Sequence, residues 1–218
     1  MRRIFITALF LELFLFDAAC GEEKMTKTIN LPNPALKGNI SIEESMVKRR
    51  SVRRYSEKEL TLEQLSQILW AAQGITDEKG FRAAPSAGAL YPLEVYAVKK
   101  DGLFHYIPEG HKLEIISPKD LRRELTDAAW GQNFIYEAPV DIVICAVYKR
   151  VTTRYGDRGV RYTDIEVGHA AQNIHLQAAA LGLASVPLGA FSDSDVSSVL
   201  GLSKEETPVY IIPVGYRR

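Results

Sequence analysis

Apolar residues recur at helical spacing over residues 62–72, and this pattern predicts an amphipathic helix with one buried face. Thr61 and Gln64 form a capping box in front of the segment, because each side chain can bond the other residue's backbone N–H. Gly74 follows the last apolar position and is a natural stop. We therefore expect a helix that begins just after Thr61 and ends near Gly74.

The period then changes from helical spacing to alternation. Residues 93–99 have a strand-like pattern, and Asp101-Gly102 supplies a tight turn into a second segment at 103–107. Residues 112–116 have the same pattern. The sequence therefore predicts an antiparallel meander of three strands.

Further along, Ser117-Pro118 is typical of a helix start, with serine as the cap and proline at the first position. Residues 140–148 form a nearly continuous apolar run, as expected of a central strand covered on both faces, with Asp141 as the exception. Residues 149–161 are polar and contain glycine, so we expect a loop there.

Thr163 and Glu166 form another capping-box pattern, which predicts that the longest helix runs over about residues 164–181. Its many alanines would let another helix approach closely, in the core or at a seam between subunits. The remaining pattern predicts a strand over 184–188, a short helix capped by Ser192 that ends at Gly201, and a final strand over 209–214.

Composition excludes some functions. Lys plus Arg and Asp plus Glu each total 27, so the net charge is zero and a protein with no overall positive field is a poor candidate for a nucleic-acid binder. Two cysteines cannot form a disulfide framework, and Cys145 lies in the apolar run as a small buried residue. His169 and His175 are six residues apart in the predicted helix and so do not share a face, which favours ordinary core or surface roles over a metal site.

The first 24 residues, 1–24, allow two interpretations. A basic start, an apolar run and Ala18-Ala19-Cys20 resemble a secretory lipoprotein signal, with Cys20 as the lipidated residue. Glu12 inside the run and Asp17 before the cleavage site argue against it, and the alternative is that translation starts at Met25 in a cytoplasmic protein. In both cases we expect residues 25–218 to form a single domain, preceded by an extended arm over 26–40.

A cluster of five cations and a serine occupies Lys48 to Tyr55. Ser41 with Glu44 forms a capping box, so a helix should start there and run towards Arg49, which places the cluster at its C-terminal end. Because a helix C-terminus repels anions, a phosphate bound here would have to be held by the arginines. A solvated basic turn is the simpler alternative.

Three motifs follow one another along the chain: 49–53 (Arg-Arg-Ser-Val-Arg), 85–92 (Pro-Ser-Ala-Gly-Ala-Leu-Tyr-Pro) and 187–191 (Pro-Leu-Gly-Ala-Phe). Their order is the one seen in a known family. Over about residues 38–216 the chain resembles the nitroreductase family, and most closely its SagB-type dehydrogenase branch. The resemblance implies an α+β fold, with a mainly antiparallel sheet flanked by helices. It also implies an intertwined homodimer with FMN at the interface.

The resemblance also implies a role for each motif. The first motif would hold the FMN phosphate and ribityl chain, the second would line the isoalloxazine from the partner subunit, and the third would present backbone groups near its reactive edge. The implied activity is electron transfer from NAD(P)H or another donor, through FMN, to a small-molecule acceptor; the alternative is a flavin-binding module without turnover, or a subunit of a peptide-modifying complex. The residues in these roles are Arg49, Arg50, Ser51 and Arg53, then Pro85, Ser86 and Ala87, then Leu188 and Gly189.

The chain departs from the classical members of the family at two places. Ala89 and Tyr91 stand where those members have asparagine and glutamine, and Tyr91 is a candidate proton donor or else a packed aromatic residue. The chain ends soon after the last predicted strand, so either Arg217 or Arg218 supplies the C-terminal basic contact to the flavin, or that contact is missing. Gln132 follows a predicted helix at a position that would face the flavin.

Overall fold

The structure, a computed structural model, describes residues 27–218. Within these residues, seven strands form one antiparallel sheet in the order β1-β4-β3-β2-β5-β7-β6, which confirms the predicted α+β class with helices flanking the sheet. The predicted meander is its β2-β3-β4 portion. The strands are β1 (Thr28–Asn30), β2 (Leu93–Lys99), β3 (Gly102–Ile107), β4 (Lys112–Ser117), β5 (Val140–Ala146), β6 (Ala184–Ser185) and β7 (Thr207–Gly215).

Both capping boxes in the first half are confirmed. Ser41 caps α1 and Thr61 caps α2, and in each case the third helical residue bonds back to the cap. Ser192 caps α7, which ends at Gly201 in the left-handed conformation, as the sequence predicts. The helices are α1 (Ile42–Lys48), α2 (Leu62–Gln73), α3 (Arg122–Ala128), α4 (Phe134–Glu137), α5 (Lys149–Tyr155), α6 (Arg158–Ala180) and α7 (Asp193–Leu200).

The sheet separates two parts of the core. Alternate residues of β2 and β5 pack against α2 and α6 on one face, and the intervening residues pack against α3, α4 and α7 on the other. Every residue of β5 is buried, which confirms the predicted central strand, and Cys145 is a buried free thiol within it. The alanines of α6 serve this core, since Ala170 and Ala178 are fully buried within one protomer.

The predicted helix start at Ser117-Pro118 is wrong. Ser117 still pairs with Leu103 as the last residue of β4, so the sheet's hydrogen bonds hold it in an extended conformation. The helix α3 begins only at Arg122. Its first N–H is satisfied by the Asp120 carboxylate at 3.1 Å instead of by a serine hydroxyl.

The predicted loop at 149–161 is also wrong, because residues 149–155 form α5 and α6 already begins at Arg158. Thr163 is therefore inside the helix, where its hydroxyl donates to the carbonyl of Gly159 at 2.9 Å. Gly159 also permits close packing of the two helices, because a Cβ there would lie 2.6 Å from the backbone nitrogen of Thr152. Tertiary packing therefore overrides the local polar pattern.

The ends of the chain differ in small ways from the prediction. The extended arm contains β1, which pairs with β4 at the edge of the sheet. The strand predicted over 184–188 is shorter, since β6 has two residues and Leu188 forms a separate bridge with Ile211. The proposed signal at 1–24, with Cys20, lies outside the described residues. Over 27–218, no helix has the length and apolar character needed to cross a membrane.

Candidate functional site

The basic segment follows α1 along the edge of the sheet. Its backbone is fixed by two contacts: Val52 donates to the carbonyl of Ser185 at 3.1 Å, and the buried Tyr55 hydroxyl donates to the carbonyl of Val52 at 2.7 Å. Ser51 forms a parallel bridge with Ser185. Lys48 pairs with Glu44 at 3.3 Å on the exposed side of α1. The segment is therefore anchored to β6 through its backbone.

A cavity of about 220 Å³ lies beside this segment. It brings together Arg49 and Arg50 with Arg217 from the other end of the chain, as the resemblance implies for a phosphate site. None of the three arginines has an ion-pair partner within residues 27–218. The lining contains no carboxylate among the described residues, so the cavity is suited to an anion.

Arg50 has an additional role at the end of α1. Its guanidinium donates to the carbonyl of Val47 at 2.9 Å and to that of Arg49 at 2.6 Å. These bonds satisfy carbonyls that a helix C-terminus leaves unpaired. Arg53 does not line the cavity: it is exposed, and its guanidinium carbon lies 5.9 Å from the ring centre of Phe134.

A second group of the expected residues lies near Phe134. The side-chain amide of Gln132 donates to the carbonyl of Ala190 at 2.8 Å, so Gln132 contacts the turn that follows Leu188. Leu188 is fixed by two backbone hydrogen bonds with Ile211, at 2.9 and 3.0 Å. Gly189 is exposed, and a Cβ there would approach no atom closer than 3.8 Å. The structure therefore brings Gln132 to the Leu188–Gly189 turn, at which Gly189 is exposed.

The third group, the loop with Pro85, Ser86 and Ala87, lies elsewhere in the protomer. It forms a 3₁₀ turn over Ala87–Ala89, and the Ser86 hydroxyl accepts a bond from the N–H of Tyr91 at 2.9 Å. The turn also contacts α6, Gly88 lies close to Tyr155 of α5, and Arg150 of α5 donates to the carbonyl of Tyr91. Within one chain, the structure does not bring this loop to the arginine cavity.

Tyr91 is strained and well anchored. It has a positive φ of 45°, which is unusual for a residue with a side chain. Its hydroxyl accepts the N–H of Arg82 at 3.2 Å, the Arg82 guanidinium lies 4.5 Å from its ring centre, and Arg150 donates to its carbonyl at 3.0 Å. These contacts fix the shape of the loop. The hydroxyl proton of Tyr91 can still be donated to another group.

Two buried ionisable residues of α6 were missed as site residues by the sequence reasoning. His175 lines the arginine cavity and is only 4% exposed. Glu166 is 2% exposed, and neither carboxylate oxygen has a hydrogen-bond partner among the described residues. Burial raises the pKa of Glu166 to about 7, against the opposing influence of the Ser86 hydroxyl and the Arg82 charge. The sequence shows these residues in a helix, but it does not show what they face.

Metal-binding side chains do not gather at this site. Among residues 27–218, no group of three or more His, Cys, Asp or Glu residues is placed to hold a metal ion. The polar groups that the described residues offer here are guanidinium groups, backbone amides, the His175 imidazole, the Gln132 amide and the Tyr91 hydroxyl.

Comparison with known proteins gives one consistent result. The model of the Nitroreductase family matches residues 46–216. A Methanocaldococcus jannaschii protein assigned to the nitroreductases is 45% identical over 88% of this chain and 98% of its own length. The Bacillus subtilis FMN reductase [NAD(P)H] is 25% identical over 78% of this chain and 61% of its own. The Escherichia coli microcin B17-processing protein is 25% identical over 60% of this chain and 52% of its own.

Solved structures show the same fold. A Ralstonia eutropha structure assigned to the nitroreductases superposes with a TM-score of 0.80 and 29% identity, covering 88% of this chain and 90% of that one. An Anabaena variabilis structure gives a TM-score of 0.78 and 30% identity, and this chain covers 42% of it.

Proposed function

Because the chain belongs to the nitroreductase family of oxidoreductases, we propose that it is an FMN-dependent enzyme of the SagB-type dehydrogenase branch. It would take electrons from NAD(P)H and pass them through bound FMN to a small-molecule acceptor. The observation that carries the proposal is the cavity in which Arg49, Arg50 and Arg217 converge without a carboxylate among its described lining residues. The likeness to an FMN reductase supports the choice of flavin.

The cavity fits the phosphate end of FMN. A flavin phosphate carries nearly two negative charges, and three arginines with no ion-pair partner in the described chain can offset the cost of removing it from water. A volume of about 220 Å³ is smaller than a typical pocket for a whole ligand, which starts at about 300 Å³. Ser51 and Arg53 belong to the same segment but do not line the cavity, and they would hold the ribityl chain.

The ring end would lie by Gln132 and the Leu188–Gly189 turn. The backbone of this turn is fixed by pairing with β7, and the exposed Gly189 has no side chain, so a flat ring could approach the backbone closely. When bound, FMN supplies the hydride chemistry. The protein's residues bind the ring, orient it and place polar groups at its edge. Tyr91 is the proposed proton donor.

The proposed site needs two protomers. Pro85, Ser86 and Ala87 lie away from the arginine cavity of their own chain, so they would line the isoalloxazine of the partner. Apolar side chains on two helices support a homodimer: Val47 on α1 is 71% exposed and Ile165 on α6 is 51% exposed. A second copy packed on these helices would cover both.

A second candidate is a flavin-binding subunit of a peptide-modifying complex, without turnover of its own. The likeness to the microcin B17-processing protein favours it, although that match covers only about half of the relative. In this case the same cavity would bind FMN, and the electron acceptor would be presented by another protein.

The first experiment is an absorbance spectrum of the purified protein, with mass spectrometry of the released cofactor and a solution mass. We expect flavin bands, FMN and a dimer. Refolded protein that stays colourless with added FMN would contradict the proposal. Turnover assays with NADH, NADPH and several acceptors then separate the two candidates, since flavin that no acceptor reoxidises would favour the subunit.

A further inference from the structure

His175 connects the arginine cavity to the protein interior. It lies on α6, and its Nε2 is 3.0 Å from a terminal nitrogen of the Arg49 guanidinium. Its Nδ1 is hydrogen-bonded to the Ser185 hydroxyl on β6. The imidazole is 4% exposed and lines the same cavity as Arg49 and Arg217. The side chain is therefore positioned to control where the Arg49 guanidinium points.

The hydrogen bonds define the tautomer of the ring. A guanidinium can only donate, so Nε2 of His175 must be the acceptor and carry no proton. The ring proton is then on Nδ1 and is donated to the Ser185 hydroxyl. Burial, and then the positive charge of Arg49, lower the pKa of His175 to about 4, so the ring keeps this acceptor at neutral pH.

Ser185 connects the ring to the backbone of the basic segment. Its hydroxyl contacts His175, its carbonyl accepts the N–H of Val52 at 3.1 Å, and it forms a parallel bridge with Ser51. One residue of β6 therefore fixes both the chain that follows Arg49 and the imidazole that holds its side chain. This arrangement defines the position of Arg49 before any anion is bound.

We propose that His175 is a positioning residue for phosphate recognition, acting as a neutral imidazole that orients the Arg49 guanidinium towards the phosphate of FMN. This inference rests on the proposed function. His175 acts only through Arg49, so it should matter for a ligand with a phosphate and not for the same ring without one. Orienting a long, flexible side chain in advance lowers the entropy lost on binding.

The test compares FMN with riboflavin, which has the same ring and ribityl chain but no phosphate. Dissociation constants are measured by flavin fluorescence for the apo forms of the wild type, His175→Leu and His175→Gln. We expect His175→Leu to weaken FMN binding by about 3- to 10-fold and riboflavin binding by less than about 2-fold. Glutamine can still accept a bond from Arg49, so His175→Gln should largely retain the wild-type preference for FMN.

A second variant and an NMR measurement provide independent tests of the role of His175. If His175→Leu fails to fold, Ser185→Ala replaces it, because loss of the hydroxyl removes the partner that holds the proton on Nδ1. We expect this variant to lower FMN affinity and to spare riboflavin. Nitrogen NMR of the wild type should show a neutral ring protonated at Nδ1 at pH 7.

Failure of the inference can be told from failure of the proposed function. Wild-type protein that binds FMN, together with variants that lose FMN and riboflavin equally, would overturn the positioning role alone. The same conclusion follows if glutamine behaves like leucine. Wild-type protein that binds neither ligand would overturn the proposed function, and the inference with it.

Discussion

Replacing Glu166 with glutamine should make the protein progressively more stable, relative to the wild type, as the pH rises from about 4 to about 8. The reason is the burial of a carboxyl group that lacks a hydrogen-bond partner among the described residues. Protonated, this group is tolerated in the interior; ionised, it carries a charge that the Arg82 guanidinium offsets only in part. Glutamine has the same shape and does not titrate.

The magnitude follows from the pKa. Because the folded protein holds the pKa of Glu166 at about 7 instead of the ordinary 4.5, the unfolded chain releases its proton at lower pH. The contribution is fully present below about pH 4.5 and is lost as the pH rises through about 7. At about 1.4 kcal/mol per pH unit, the loss is about 3 kcal/mol.

The wild-type curve alone would hide this effect because His175 acts in the opposite direction. Its pKa is lowered to about 4 from the ordinary 6.5, so its contribution is present above about pH 6.5 and is lost as the pH falls through about 4. The two contributions overlap and nearly cancel between these values. The difference between wild type and Glu166→Gln at each pH removes the His175 contribution and isolates Glu166.

The assay is urea unfolding of the apo protein at fixed concentration, at several pH values between about 4 and about 8. Glu166→Leu is the matched control. Its free energy of unfolding will differ from that of Glu166→Gln, but the difference from the wild type should change with pH by the same amount, since both variants remove the same titrating group. A difference that stays constant across this range would refute the reasoning, because it would show that Glu166 titrates normally in the folded state.

Three other changes test separate features. Arg217→Ala should weaken FMN binding by roughly 1.5–3 kcal/mol, as for a charged hydrogen bond, and Arg218→Ala is the matched control that should leave the dissociation constant unchanged. The reverse result would assign the C-terminal contact to Arg218. Gly215→Ala should lower the free energy of unfolding by about 1–3 kcal/mol in urea titrations, because its Cβ would lie 2.5 Å from the rigid ring of Pro139; an unchanged midpoint would show that the ring can move. Thr61→Ala removes the cap of α2 and should cost about 1 kcal/mol of stability, and equal stability would mean that another group caps the helix.

The features that the sequence predicted well are local in the chain. The boxes at Ser41 and Thr61 depend on bonds between residues three apart, and both form as expected. The wrong predictions concern segments whose secondary structure is determined by contacts with residues distant in the sequence. The polar stretch after β5 folds into α5 because Val151 is buried and Gly159 allows α6 to pack closely against it. The polar pattern of residues 149–161 does not show which residues will be buried or which helices will pack together.

The candidate site shows the same contrast between residues that motifs could predict and contacts between residues distant in the sequence. The resemblance placed Arg49 and a C-terminal arginine, Arg217 or Arg218, in one proposed site, and the structure shows Arg49 and Arg217 lining one cavity. The contact of Gln132 with Ala190 joins residues 58 positions apart, and the resemblance pointed to Gln132 only through its place after a helix. No local pattern could connect His175 with Arg49, because they are 126 positions apart and meet only when α1 packs on α6.

The helix α6 determines how far apart the two halves of the proposed site lie. Glu166, next to the Ser86 loop, and His175, next to Arg49, are nine residues apart on it. At about 1.5 Å per residue they are separated by about 13–14 Å along the axis, and a folded helix cannot shorten that distance. Two copies of α6 that pack antiparallel would place the loop end of one helix beside the arginine end of the other. A change that prevents dimer formation should therefore also abolish FMN binding. A folded monomer that retains FMN at full affinity would contradict a site shared between subunits.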